Sequence, residues 1–394
     1  MTLFQGLGAS PSPSAEAFGH MLCLFGAVGD YALGNPPGYG ARIGSLAAAI
    51  AQLGAASPED CNAVYVAGVL HGIGALGNAG LRKSDALPPR AAMMERWNIP
   101  ATGARLCNSI PGLPDDTSDI VRWHAESWDG TGYPDQLRWH GIPKAAQYLH
   151  LAEMFADCED PEDGLVKIQE SSGRIFSPDE VRTFVMWFHT FGGEIELSEF
   201  PLDALRADES SLTTVLHLLS AAIDAHNGTR GRALRIAERA RATAKILKIG
   251  EEQELLLEAA AHLFGTGEMA SEELEWHRFD PLAGLGRELR ATNAILSAGL
   301  LAPMPAFSEL VPILRARGEW FDGTGLPDRI RSEKIPVQAR ILSVCIAHDS
   351  LDEAHRTHIR EDRTTPLERM ETAAGTQFDP TIVRAYTDAL KAKA

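Results

Sequence analysis

Residues 59–74, EDCNAVYVAGVLHGIG, place apolar side chains at i, i+3, i+4 and i+7, and residues 250–265, GEEQELLLEAAAHLFG, do the same. That spacing lays one apolar stripe along an α-helix, and the acidic residues before each stripe suit a helix start. Two further periodic runs, PKAAQYLHLAEMFADC from Pro143 and PVQARILSVCIAHDSL from Pro336, begin with proline at the predicted first helical turn. FSP and FDP, ending at Pro178 and Pro380, precede periodic runs in the same way. Strand-like alternation is scarce, so the pattern predicts an all-α fold. Residues 77–92 and 276–305 show the least pattern and are expected to be loops. The acidic stretch GGEIELSEFPLDALRADESS, residues 192–211, combines helix breakers with mixed periodicity and reads as a linker.

The chain also resembles itself. AGVLHGIGALG (67–77) parallels AAAHLFGTGE (259–268), which sets His71 opposite His262, 191 positions apart. WDGTGYPDQL parallels FDGTGLPDRI, with Asp129 opposite Asp322 at 193 positions, and Ile142-Pro143 matches Ile335-Pro336. GRIFSPDEVR (173–182) matches GTQFDPTIVR (375–384). Four blocks in one order at a nearly constant offset read as a tandem duplication. The expected organisation is a first unit over residues 1–195, a linker over 196–211 and a second unit over 212–394.

Composition narrows the function. At 394 residues, two cores are expected, and 45% apolar residues can fill them. No apolar run approaches a membrane span, and MTLFQGLGASPSPSAEAF lacks the basic start and apolar stretch of a secretory signal. Five cysteines without a CxxC pair read as reduced thiols, and the expected location is the cytoplasm. A formal charge of −17 argues against a broad basic face for long nucleic acid, while leaving room for a small phosphorylated ligand in a local pocket.

The blocks resemble the HD-GYP family, over roughly residues 20–190 and 212–390. The family's order is a GHSxRV-like segment, HDIGK, a single His before a glycine, HHExWDGxGYP, and a late Asp in a VAD-like helix. The resemblance implies two tandem HD-domain-like helical units, and for intact members a metal-dependent phosphohydrolase that cleaves cyclic di-GMP. Such chemistry needs several His nitrogens and a bridging carboxylate to hold ions that acidify a bound water. The aligned positions depart from that set. Tyr39 stands at the first His, Gly72 at the Asp of HD, Ile99 at the lone His and Ala125 at the second His of HHE. His71, His124, Glu126 and, at the late Asp, Glu153 remain. In the second unit Arg232 takes the first His, Leu263 the Asp after His262, Arg317 and Gly318 the two histidines, and Ile346 the late Asp, with Asp349 one turn on. Ala75 and Thr266 align with the family's lysine.

Two readings of each remnant follow. His71, His124 and Glu153 are the weak metal candidates, sufficient for one Fe or Mn ion in the first unit; otherwise they are hydrogen-bonded core residues, and no resident cofactor is the main expectation. Asp129, Gly130, Gly132, Tyr133 and Pro134 form a tight turn, and the resemblance also makes that loop a surface for signalling partners such as diguanylate cyclases. Arg232 and Arg317 either hold a phosphorylated ligand such as a cyclic dinucleotide without turning it over, or pair with Glu268, Glu319 or Asp349 to fill a vacated cavity. The function expected from the resemblance and these departures is a catalytically degenerate regulatory or scaffold protein of cyclic-dinucleotide signalling. The alternative is a cyclic di-GMP phosphodiesterase with residual activity in the first unit.

Overall fold

A computed structural model describes residues 13–77, 89–199, 201–269, 284–356 and 364–392. These residues are helical, joined by turns, with two isolated bridges (Ser172 to Phe176 and Ala374 to Phe378) in place of any sheet. Two compact units divide the described residues, Ser14–Val215 and a unit that begins at Leu216.

The N-terminal unit contains α1 (Pro13–Leu33), α2 (Tyr39–Leu53), α3 (Pro58–Leu70), α4 (Pro89–Asn108), α5 (Thr117–Trp123), α6 (Lys144–Ala156), α7 (Pro161–Glu170) and α8 (Pro178–Phe191). Its centre is α3, whose residues from Ala63 to Leu70 are all buried. A capping box starts it: Ser57 Oγ accepts from the Asp60 amide at 3.1 Å and Asp60 returns the bond, with Pro58 at the first helical position. Glycines let α2 lie directly against α3, since a Cβ on Gly68 would sit 2.3 Å from the Gly44 Cα and one on Gly44 2.5 Å from the Tyr65 carbonyl oxygen. Close backbone approach is therefore written into these positions. Behind α6 an aromatic cluster of Phe155, Phe184, Trp187 and Phe188 packs edge to face.

Helix α9 (Glu209–His226) carries the chain into the C-terminal unit. There follow α10 (Arg232–Leu247), α11 (Glu251–Leu263), α12 (Thr266–Met269), α13 (Gly284–Leu301), α14 (Leu310–Ala316), α15 (Val337–Arg356), α16 (Pro366–Thr372) and α17 (Pro380–Lys391). Helix α15 is buried without interruption from Ile341 to Ser350. Thr365 and Glu368 form a second capping box, and Asp379 caps α17 before Pro380.

The all-α expectation holds. One stretch corrects it: 276–305 was expected to be a loop, yet residues 284–301 form α13, a helix too weakly patterned to be recognised because it alternates glycine and polar residues with its apolar ones. Similarly, α4 begins at Pro89, inside the expected loop at 77–92, of which 78–88 lie outside the described residues. No helix among the described residues is long and apolar enough to cross a membrane.

Candidate functional site

In the N-terminal unit, His71 closes α3 and His124 closes α5. Each donates Nδ1–H to the carbonyl three residues back, His71 to Gly68 and His124 to Val121, both at 2.7 Å. That bond fixes the tautomer and turns each Nε2 towards the same space. The two rings meet edge to face at 5.8 Å between centroids. His71 Nε2 is buried with no hydrogen-bond partner, and His124 Nε2 lies 3.9 Å from Glu153 Oε2. Burial pushes the His124 pKa down to about 4, so its Nε2 is an unprotonated acceptor at neutral pH. Burial pushes the Glu153 carboxyl up, and the neighbouring histidines, His124 foremost, outweigh it and hold the carboxyl below its usual range.

A cavity of about 330 Å³ opens here, lined by His124, Thr131, Tyr133, His150, Glu153, Asp157 and Lys167 among others. Tyr39, at the position of the family's first His, donates its hydroxyl to Asp157 and rests 6.2 Å from the His71 ring. Asp30 is buried behind these residues and accepts from the Gly38 and Gly40 amides at 3.0 and 3.1 Å, which pins the start of α2 and with it Tyr39. Burial raises the Asp30 pKa to about 6 against the pull of His71. A separate cavity of about 530 Å³, lined by Asp60, Asp116, Asp119, Lys144 and Tyr148 among others, holds none of these residues.

The WDGTGYP block is a rigid turn. Asp129 accepts from the Thr131 amide at 2.9 Å and its hydroxyl at 2.6 Å, Gly130 takes φ +82°, and the peptide before Pro134 is cis. Glu126, the retained third letter of HHE, points away from the histidines and accepts from the Asp135 amide at 2.6 Å and the Leu137 amide at 3.0 Å. Gly132 packs so closely that a Cβ would lie 2.1 Å from the Ser127 nitrogen. Gly130 and Gly132 are buried and Tyr133 and Pro134 half-buried, so the outward part of this loop is the run after Pro134, including Trp139 at 59% exposure. The second block builds the same turn, with Asp322 on Thr324, Glu319 on the Asp328 amide at 2.6 Å, Gly325 against Trp320, and a cis bond before Pro327.

The rest of the C-terminal unit diverges. Arg232 is buried, donates to Glu268 Oε1 at 3.1 Å and to Ser350 Oγ at 3.4 Å, and its Nε lies 3.7 Å from Asp349. Asp349 is held in turn by Arg235 at 3.0 Å and Arg239 at 3.2 Å. Arg317 is buried too and donates to Asn293 Oδ1 at 2.5 Å and to the Phe264 carbonyl at 3.0 Å, while its Nε has no partner. Both guanidinium groups sit over the Phe264 ring, 5.1 and 5.7 Å from its centroid. Burial pulls the Arg317 pKa down to about 10, which leaves it charged. His262 bonds to Ser220 Oγ at 3.1 Å, and burial lowers its pKa to about 4.

A model of the HD domain family matches two segments of the chain, residues 33–166 and 217–382, well over half of its length. The chain belongs to the HD domain family. A 3′3′-cGAMP-specific phosphodiesterase 3 of Vibrio cholerae is 23% identical over 282 residues, covering 67% of this chain and 61% of that protein. A cyclic di-GMP phosphodiesterase of Thermotoga maritima is 26% identical over 155 residues, covering 36% of this chain and 42% of that protein. The chain thus spans about three fifths or less of the curated relatives it matches. The crystal structure of the cyclic GMP-AMP specific phosphodiesterase V-cGAP3 of V. cholerae superposes with a TM-score of 0.71 at 18% identity, over 95% of this chain and 97% of that one, and establishes the fold.

Packing also corrects one alignment within the HD domains. A Cβ on Gly74 would meet the Ile99 carbonyl and the Gly103 nitrogen; one on Gly267 would meet the Asn293 carbonyl and the Ser297 nitrogen. Gly267 is therefore the counterpart of Gly74, and Glu268, where Thr266 was expected, that of Ala75 and the family's lysine. Two extra residues after His262 shift the register. Asn293 likewise stands opposite Ile99, inside the helix that read as a loop.

The donor set does not fit a multinuclear centre. The bridging position is Gly72, which has no donor atom, and Glu126 is spent on its loop. Among the described residues, no three His, Cys, Asp or Glu side chains converge on a point that could hold a metal ion, although His71, His124 and Glu153 are neighbours. The site residues that sequence reasoning missed are Asp30, Asp157, His150 and Asn293. Asp30 has a counterpart in Asp224, which accepts from the Ala233 amide at 2.9 Å, and that near-constant offset was legible.

Proposed function

We propose that this HD-domain protein is a regulatory component of cyclic-dinucleotide signalling whose N-terminal pocket binds a nucleotide without hydrolysing it. The observation that carries the reading is the pair of replacements on one structural theme. Gly72 removes the bridging carboxylate of the first unit, and Arg232 with its internal partners Glu268 and Asp349 fills the corresponding space of the second. Phosphodiester hydrolysis of the family type requires the ions those positions would hold. The ligand class is supported by the two relatives, named for 3′3′-cGAMP and cyclic di-GMP. Matches of one family model to both halves, with the same turn built twice, support descent from a tandem duplication. In this reading the protein acts in the cytoplasm, the donors of Arg232 close the second unit, and Asp129–Pro134 with the exposed run after it serves a protein partner such as a diguanylate cyclase.

The test incubates the full chain with cyclic di-GMP and 3′3′-cGAMP in the presence of Mn or Fe, reading heat of binding and linear product in parallel. Binding without product supports the reading. A second reading, a phosphodiesterase with residual activity in the first unit, is favoured by the partnerless Nε2 of His71 beside His124 and Glu153. Product formation that disappears in His124→Ala would establish it instead.

A further inference from the structure

We propose that a purine base of the bound nucleotide extends the Trp97–Tyr133 stack as a third ring; this rests on the nucleotide-pocket reading above. Trp97, on α4, lies nearly parallel to Tyr133, 17° between planes and 5.7 Å between centroids, and remains 37% exposed. Tyr133 in turn lines the cavity that holds His124 and Glu153. A stacked pair left partly open at a polar cavity suits a flat heteroaromatic ring, because base–aromatic stacking needs a π-face and no particular sequence.

The surrounding groups match the rest of a nucleotide. Lys167 lines the cavity and the exposed Arg96 directly precedes Trp97 on α4, so two cations are at hand for phosphate groups. Glu153 and Asp157 supply carboxylate acceptors for base N–H groups.

The fold does not need the stack. Counting back two residues from the packing pair Ile99 and Asn293 places Ala291 opposite Trp97, and Leu326 stands opposite Tyr133. Gly318 lies against both, 3.5 Å from the Ala291 Cα and 2.8 Å from the Leu326 carbonyl when given a Cβ. The C-terminal unit therefore builds the same turn, down to the Glu319 bond to the Asp328 amide, with two aliphatic residues. Two aromatics are kept only where the cavity is lined by His and carboxylate groups.

The experiment titrates the full chain with cyclic di-GMP and with 3′3′-cGAMP, following heat and tryptophan emission, in wild type, Trp97→Phe and Trp97→Ala/Tyr133→Leu. The double variant carries the residues of the C-terminal unit and is expected to fold. It should bind roughly ten- to a hundred-fold more weakly. Trp97→Phe should keep its affinity and lose the part of the emission change that Trp97 contributes. Wild-type affinity in the double variant would overturn the stacking proposal and leave the pocket reading intact. No binding of either dinucleotide by wild type would overturn the pocket reading and the stack with it.

Discussion

The two units turn the same backbone to different ends at the place where a metal-dependent member would hold its ions. In the N-terminal unit the family's ligand positions carry Tyr39, Gly72, Ile99 and Ala125, and of the two histidines that remain His124 lines a cavity of about 330 Å³. In the C-terminal unit the vacated positions became Arg232 and Arg317, which carry positive charge into the interior and are held there by Glu268, Asp349, Asn293 and the Phe264 ring. Removing a cation from a buried cluster of acceptors leaves either space or unbalanced charge. On the proposed reading, one unit accepted the space, and the other replaced the charge covalently. The DGTG turn, by contrast, is built alike in both, with Asp129 and Asp322 accepting from the threonine two residues on and Glu126 and Glu319 accepting from the Asp135 and Asp328 amides.

The largest way to break this comparison is Arg232→Ala. It strands Glu268 and Asp349, 4% and 2% exposed, with less compensating charge, and a cost of about 3–5 kcal/mol in denaturant unfolding is expected. Tyr39→Phe, the matching position of the first unit, should cost about 1 kcal/mol, the net worth of one hydrogen bond. Equal costs would mean the two sites are not differently filled. Next in size, Gly132→Ala and Gly325→Ala should each destabilise by about 1–3 kcal/mol, since the first would drive a Cβ into the Glu126–Ser127 backbone and the second into the Glu319–Trp320 backbone, and the two losses should agree. A marked inequality would show that the turns are not equivalent.

Protonation gives a third probe. Unfolded imidazole titrates near 6.5, and His124 and His262 each titrate at about 4 in the fold. Between those values the unfolded chain binds more protons, so stability falls as pH drops from 6.5 towards 4 and is regained above 6.5. His124→Gln and His262→Gln should each flatten the melting temperature against pH in that window; an unchanged slope would place these rings in water. Arg317→Met is expected to cost far less than Arg232→Ala, under about 1.5 kcal/mol. Its guanidinium makes no ion pair with a carboxylate, and the Ser297 hydroxyl can still donate its one proton either to the Phe264 carbonyl at 3.0 Å or to Asn293 Oδ1 at 3.3 Å. A loss as large as that of Arg232→Ala would reveal an ionic role that the geometry does not contain.

The helices most legible in the sequence were those with an apolar stripe and a proline or acidic start, such as α3, α6 and α15. Helix α13 was missed because GLGRELRATNAILSAGLL mixes glycine and charge into its stripe, and its place was set by packing against α12 and α14. The loss of ligands at Gly72, Ala125, Arg232 and Arg317 could be read letter by letter. What those residues do instead was legible only in part: the pairing of Arg232 with Glu268 and Asp349 was one of the two readings, whereas the partner of Arg317 is Asn293, 24 positions away in a stretch that read as a loop. Trp97 carried no pattern at all, and only its position on Tyr133 gives it meaning.

The most direct test of the central claim is the metal content of the full chain, purified after expression with iron and manganese available and measured by elemental analysis beside His71→Ala and His124→Ala. The account predicts metal far below one ion per chain, unchanged in both variants, because no three donors converge among the described residues. One ion per chain, lost in His124→Ala, would contradict it and return the first unit to the hydrolases.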